Sequence, residues 1–110
     1  MRLYLDDIRE PKDDSFIIVR NYDEAIEFIK QNGIPPYISF DHDLGCDKNG
    51  DVLKSGYDFA KWLVDMDIDG IHSFPDDFKF NVHSANPIGR NNIEAILHNY
   101  LDFKISQELG

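Results

Sequence analysis

Cysteine, cationic residues and long apolar segments are all scarce in this sequence. Cys46 is the single cysteine among 110 residues, which excludes an intramolecular disulfide and a zinc site built from several cysteines. No apolar segment approaches the length of a bilayer crossing, and Asp6 and Asp7 stand where a signal peptide would need its apolar segment. We therefore expect a cytoplasmic protein that is held together by packing and does not enter a membrane.

Negative charge dominates the composition. The chain has 11 Lys and Arg against 21 Asp and Glu, and its formal net charge is −10. This balance argues against generic binding of duplex nucleic acid, which needs a broad basic surface. A phosphate-bearing small molecule or an RNA end is still compatible with it as a partner, because a divalent cation held by clustered carboxylates reverses the local field. The length and the 42% hydrophobic content suit one domain over residues 1–110.

Four apolar segments predict strands, and three amphipathic segments predict helices. The predicted strands have the sequences RLYL from Arg2, SFIIV from Ser15, YISF from Tyr37 and FKFNV from Phe78. The helices are predicted to begin near Asn21, Ser55 and Pro87, where capping residues or an initial proline precede apolar residues at helical spacing. Strands that alternate with helices predict an α/β fold, with a parallel sheet and helices on its faces.

Polar residues follow three of the predicted strands. Asp6 and Asp7 follow the first strand, Asp41, His42 and Asp43 follow the third, and the segment HSAN from position 83 follows the fourth. Ligands of open parallel sheets bind beyond the carboxyl ends of the strands. These three distant parts of the chain are therefore predicted to meet in one crevice.

The carboxylates in this crevice predict a metal site. Several ionised carboxylates tolerate each other at one point only when a cation neutralises them, and hard oxygen ligands favour Mg²⁺ or Mn²⁺, with Ca²⁺ as a further candidate. We predict Asp7 and Asp41 as direct ligands and Asp6 as the residue that holds a metal-bound water. Asp43 either binds the metal or caps its own loop, and capping a loop is the alternative for Asp6 as well.

The other candidates are predicted to act on a substrate. His83 is either a general acid or base or a ligand of a softer transition metal, and Ser84 and Asn86 follow it closely enough to share its site. His42 is a candidate for binding substrate, although strand alternation would turn it away from its two aspartate neighbours. Arg90, early in the last helix, either binds a phosphate oxygen or is simply exposed.

Four segments, LDDIREP, ISFDHDLG, SGYDFAKWL and HSANPIGRNNIE, resemble the cyclic-phosphate processing receiver domain, a family related to response-regulator receivers. The resemblance covers almost the whole chain. It implies a receiver-like, flavodoxin-like parallel sheet in three layers, with Asp6 and Asp7 as the acidic pair, Asp41 as the phosphoacceptor position and Ser84 as the conserved hydroxyl position. It also implies that the acidic cluster and the HSAN segment process cyclic phosphates, such as those on RNA ends or nucleotide derivatives.

The sequence departs from ordinary receivers at its C-terminal end. Receivers usually continue to a fifth strand that ends in a phosphate-binding lysine, whereas this chain stops at Gly110 and offers only Lys104 as a late candidate. We therefore expect a receiver-like domain that is truncated at its C-terminus. Two functions follow: a metal-dependent phosphoesterase in which His83 transfers a proton, or a degenerate receiver that accepts phosphate or binds a protein without turnover.

Overall fold

Four short strands form one parallel sheet in a computed structural model, which describes residues 1–109. Along the chain the elements are β1 (Arg2–Leu5), β2 (Phe16–Val19), α1 (Tyr22–Asn32), β3 (Tyr37–Phe40), α2 (Gly56–Ile68), β4 (Lys79–Val82) and α3 (Pro87–Leu109). The strand order is β2-β1-β3-β4, and every neighbouring pair is parallel. β1 and β3 have the predicted bounds, whereas β2 and β4 each begin one residue later than predicted.

Capping residues begin all three helices, at or next to the predicted starts. The Asn21 side chain accepts a hydrogen bond from the Glu24 N–H at the start of α1. Ser55 and Asp58 form a reciprocal capping box at the start of α2. Asn86 Oδ1 accepts from the Gly89 N–H at 3.1 Å, with Pro87 at the first position of α3. These bonds satisfy N–H groups that would otherwise lack partners in the first turns.

One face of the sheet and all three helices form the core. The inward residues of the two central strands are fully buried, and so are core residues of the three helices: Leu3, Leu5, Ile38, Phe40, Ile29, Phe59, Leu63, Ile93 and Leu97. Burial of these side chains is the main source of stability, at about 25 cal/mol per Å² of apolar surface.

The receiver-like α/β class is confirmed, but the helices differ from the expected arrangement in layers. All three pack into the one core, on the face of Leu3 and Leu5. The opposite face carries Arg2, whose Nη1 donates to Asp13 and Ser15 in the connection between β1 and β2. That connection contains turns and no helix, because side-chain acceptors such as Asp13 Oδ1 bind nearby backbone N–H groups. Within residues 1–109 there is also no fifth strand.

The distal half of α3 is tied to α2 through a buried carboxylate. The side chain of Asp67 is only 4% exposed; it accepts hydrogen bonds from the Tyr100 hydroxyl and the Phe74 N–H and forms an ion pair with Lys104 at 2.9 Å. Burial opposes its ionisation, but these donors hold the pKa of Asp67 below its usual value. Lys104, the candidate for the receiver lysine, therefore has a structural partner at the end of α2. Across the described residues, no helix is sufficiently long and apolar to traverse a membrane.

Candidate functional site

The carboxyl ends of three strands bring Asp6, Asp41 and His83 together. Each residue extends the hydrogen bonding of its strand by one step: the N–H of Asp6 donates to Val19, that of Asp41 to Leu5 and that of His83 to Phe40. The three side chains therefore keep the same alternation and share a face of the sheet. One ligand atom of each lies within 4.8 Å of those of the others.

Asp6 is a fully buried carboxylate that is already surrounded by donors. Its Oδ1 accepts from the N–H groups of Ile8 at 3.0 Å and Arg9 at 2.8 Å, and its Oδ2 lies 3.0 Å from His83 Nε2. Burial by itself raises the pKa of Asp6, but these donors outweigh burial and lower the pKa below its usual value. Asp6 is therefore a fixed negative charge within the cluster.

Asp41 has the opposite electrostatic environment. It is 7% exposed, and within residues 1–109 the one hydrogen bond to its carboxylate comes from the His42 N–H at 2.9 Å. Burial, followed by the negative charge of Asp6, raises the pKa of Asp41. The His42 N–H and the charges of His83 and Arg9 offset only part of this cost of ionising Asp41, and a bound divalent cation would relieve the rest.

An open pocket of about 270 Å³ lies over these strand ends. Its lining contains four carboxylates and one hydroxyl, together with Ile8, Arg9, Gly45 and Ala85; the polar members are Asp6, Asp7, Asp41, Asp43 and Ser84. A Cβ at Gly45 would lie 3.3 Å from Asp7 Oδ2, so the absence of a side chain there leaves room for the Asp7 carboxylate. This donor set of oxygens suits Mg²⁺ or Mn²⁺.

His83 has both ring nitrogens engaged within the protein. Nε2 lies 3.0 Å from Asp6 Oδ2, and Nδ1 lies 2.7 Å from the Ser39 hydroxyl. The ring is 15% exposed and stacks on Tyr4, with centroids 4.5 Å apart. Because ionised Asp6 can only accept, we assign the proton of the neutral ring to Nε2, and Nδ1 then accepts from Ser39.

The remaining residues after β3 and β4 form a second polar group at the edge of the pocket. His42 Nδ1 lies 2.9 Å from Asp43 Oδ1, and Asn86 Nδ2 approaches both oxygens of Asp43 at 3.5 Å. The Ser84 hydroxyl accepts from the Asn86 N–H at 3.1 Å. The His42 ring packs so closely on Gly89 that an added Cβ would lie 2.3 Å from it. Asp43 is thus held in place by two neighbouring side chains.

A family model described as the cyclic-phosphate processing receiver domain matches residues 1–99. The chain belongs to this family. The resemblance inferred from the sequence motifs is thereby confirmed. The matched region contains every candidate site residue of this receiver domain and reaches into α3. Comparisons with curated proteins and with solved structures find no match.

The arginine beside the pocket of this receiver domain is Arg9, and Arg90 lies elsewhere. Arg90 Nε donates to Glu94 at 2.9 Å on the exposed side of α3, and Arg90 does not line the pocket. Arg9, which follows the acidic pair by two residues, donates from Nη1 to the His83 carbonyl at 3.1 Å and lines the pocket. Sequence reasoning missed Arg9, although its position in the LDDIREP segment, two residues after the acidic pair, could have indicated it.

Ser39 is a second residue that sequence reasoning missed. It precedes Asp41 by two positions, so strand alternation places both on one face and could have indicated it. Replacing Ser39 with alanine is expected to leave the buried Nδ1 of His83 without its donor and to cost about 1–3 kcal/mol of unfolding free energy. Urea unfolding measures this cost, and ¹⁵N correlation spectra of the imidazole should show a shift of the Nδ1 resonance, because this nitrogen loses its hydrogen bond.

Asn81→Ala provides the matched control for Ser39→Ala. Asn81 pairs with Ser39 across β3 and β4 but is exposed. Its replacement should leave both the stability and the imidazole spectrum close to those of the wild-type protein. Equal effects of the two substitutions would contradict the assigned role of Ser39.

Proposed function

We propose that this receiver domain is a metal-dependent phosphoesterase that opens cyclic phosphates on RNA ends or nucleotide derivatives. The observation that carries the proposal is the buried Asp41 carboxylate, which has a single hydrogen-bond donor in the described chain, lies beside ionised Asp6 and lines an acidic pocket. Such a carboxylate is costly without a cation. The family description supports a cyclic phosphate as the substrate class.

The carboxylates of the pocket fit a hard divalent cation. Asp7 and Asp41 would bind Mg²⁺ or Mn²⁺ directly, Asp6 would orient a water, and Asp43 would stand beside the site with His42 and Asn86 holding it. When bound, such a cation stabilises negative charge on phosphate oxygens and favours ionisation of a water. The donors around Asp6 would keep this residue ionised throughout.

The residues of the chain would supply binding and proton transfer. The Ser84 oxygen accepts a hydrogen bond from the Asn86 N–H, so the Ser84 O–H can donate to another acceptor. We assign this donor to a phosphate oxygen in the pocket. Opening of a cyclic diester takes a proton from water and gives one to the leaving oxygen. The protonated ring of His83 would give its Nε2 proton to the leaving oxygen, and Nε2 would regain a proton from the attacking water, while Ser39 holds Nδ1 and Asp6 stays ionised beside Nε2.

Direct assay of hydrolysis tests the proposal. Purified protein with Mg²⁺ or Mn²⁺ should convert 2′,3′-cyclic nucleotides or RNA with a cyclic end to phosphomonoesters, as followed by ³¹P NMR. His83→Gln should lower turnover by about 10²-fold or more, the range of general acid and base effects, while the affinity for the metal persists. Failure of the wild-type protein to convert either substrate with either metal would contradict the proposal.

A phosphoacceptor role is the alternative that the site also supports. Asp41 directly follows β3 and shares the pocket with Ser84, the arrangement expected of a receiver. Incubation with acetyl phosphate and Mg²⁺, followed by intact mass measurement, separates the two functions. A base-labile adduct that disappears in Asp41→Asn, without hydrolysis of cyclic phosphates, would favour the degenerate receiver.

A further inference from the structure

Arg9 brings positive charge into a pocket that is otherwise acidic. Among the residues that line the pocket, four are aspartates and Arg9 is the cation. Its side chain is 50% exposed, so the guanidinium is accessible to solvent. A ligand that enters the pocket can therefore reach Arg9 without displacing core residues.

The backbone around Arg9 is held firmly. The Arg9 N–H donates to Asp6 Oδ1 at 2.8 Å, and the Arg9 carbonyl accepts from Arg20 Nη1 at 2.6 Å. Arg20 Nη1 also donates to the Asp6 carbonyl at 3.2 Å, so one guanidinium holds the backbone at both ends of the turn from Asp6 to Arg9. The backbone of this turn therefore loses little further conformational freedom when the Arg9 side chain binds a ligand.

The side-chain contacts of Arg9 leave most of its donors available. Nη1 donates to the His83 carbonyl at 3.1 Å, and Nε stands 3.9 Å from Asp6 Oδ2, which is beyond hydrogen-bond distance. A guanidinium has five N–H donors in a planar fork that matches two oxygens of a phosphate. The remaining N–H groups can therefore bind an anion in a bidentate manner.

Charge balance favours such a cation. One divalent ion offsets two of the four carboxylate charges in the pocket, and an anionic phosphate would then meet a site that is still negative. Arg9 reduces this excess where the ligand enters. Arg90, with its guanidinium bonded to Glu94 on α3, does not line the pocket and makes no such contribution.

We propose that Arg9 is the anion-binding residue of this site and binds two non-bridging oxygens of a phosphate seated over Asp41. The proposal deepens the function proposed above and rests on it for the identity of the phosphate ester. It assigns recognition of the phosphate group to the loop after β1. The turn set by Asp6 thus positions a phosphate-binding cation as well as the acidic cluster.

Binding of inorganic phosphate in the presence of Mg²⁺, measured by isothermal titration calorimetry, tests the role of Arg9. Arg9→Gln should weaken binding by about tenfold or more, because charge-assisted bidentate bonds are lost. Arg9→Lys should bind with intermediate affinity, because it keeps the charge without the fork. Arg90→Gln is the matched control and should bind like the wild-type protein.

Three results would overturn the assignment. The first is that Arg9→Gln and Arg90→Gln bind phosphate with equal affinity. The second is that the KM of Arg9→Gln for cyclic phosphate equals that of the wild-type protein. The third is that the wild-type protein does not bind phosphate. Unfolding curves of all variants, with Arg9→Lys as the conservative form, separate loss of binding from loss of structure. If phosphate binds through Arg9 but cyclic phosphates are not hydrolysed, the phosphoesterase proposal fails while the role of Arg9 stands.

Discussion

Replacing Asp41 with asparagine is expected to abolish metal binding and turnover while leaving the metal-free protein at least as stable as the wild type. The asparagine side chain would keep the size of the aspartate and its acceptor for the His42 N–H, but the substitution removes a buried charge beside ionised Asp6. We expect kcat/KM for cyclic phosphate to fall by about 10³-fold or more, because electrostatic stabilisation is usually the largest part of catalysis.

The pH dependence of stability provides a second signature of Asp41. Burial and the charge of Asp6 raise its pKa in the folded state above the value of 3.8 for an unperturbed aspartate. The folded state therefore holds the proton of Asp41 more tightly than the unfolded chain does, so protonation of Asp41 stabilises the fold. This stabilisation is complete below the pKa of Asp41 in the unfolded chain. It is lost as the pH rises through the pKa of the folded state. Asp41→Asn should abolish this part of the pH profile in metal-free urea unfolding.

Asp76→Asn is the control for Asp41→Asn, because it removes the same charge from an exposed site outside the pocket. Its metal affinity, turnover and stability should match those of the wild-type protein. Metal titration by calorimetry and urea unfolding without metal measure the two sides of the prediction. Unchanged metal affinity in Asp41→Asn, or a clear loss of metal-free stability, would contradict the electrostatic account of this residue.

The Gly56→Ala substitution is expected to have the largest effect on the fold. Gly56 begins α2, and its N–H donates to the His42 carbonyl at 2.8 Å. A Cβ at this position would lie 1.8 Å from the Asp41 carbonyl oxygen, so the helix and the strand end would have to move apart. We expect a loss of about 3 kcal/mol or more in the free energy of unfolding, together with weaker metal binding, because the clash is with backbone.

Gly70→Ala separates this clash from the general cost of adding a methyl group to a glycine. Gly70 has a φ of 73°, and nothing lies within 4 Å of a Cβ built on it. Its replacement should cost about 1–2 kcal/mol through backbone strain alone and should leave the metal affinity unchanged. Urea unfolding and calorimetry of both variants compare the two effects. If Gly56→Ala were no more destabilising than Gly70→Ala, the close packing of α2 on the end of β3 would be disproved.

Local patterns predicted most of the secondary structure and the general position of the site. The apolar segments at β1 and β3 have the predicted bounds, and the caps at Asn21 and Ser55 begin their helices as expected. The meeting of Asp6 with Asp41 also followed from the sequence, because the carboxyl ends of adjacent parallel strands share one edge. Each of these predictions depends on periodicity, capping or strand direction, which are encoded within a few neighbouring residues.

The sequence alone therefore determined the order of strands and helices, the acidic strand ends and the family motifs. Tertiary structure decided the side-chain partners: His83 with Ser39, Arg9 rather than Arg90 at the pocket, and Lys104 with a carboxylate on α2. It also decided that the connection from β1 to β2 has no helix, so the helices share one face of the sheet. The reason is that such contacts join residues far apart in the chain, and their geometry depends on how the whole core packs.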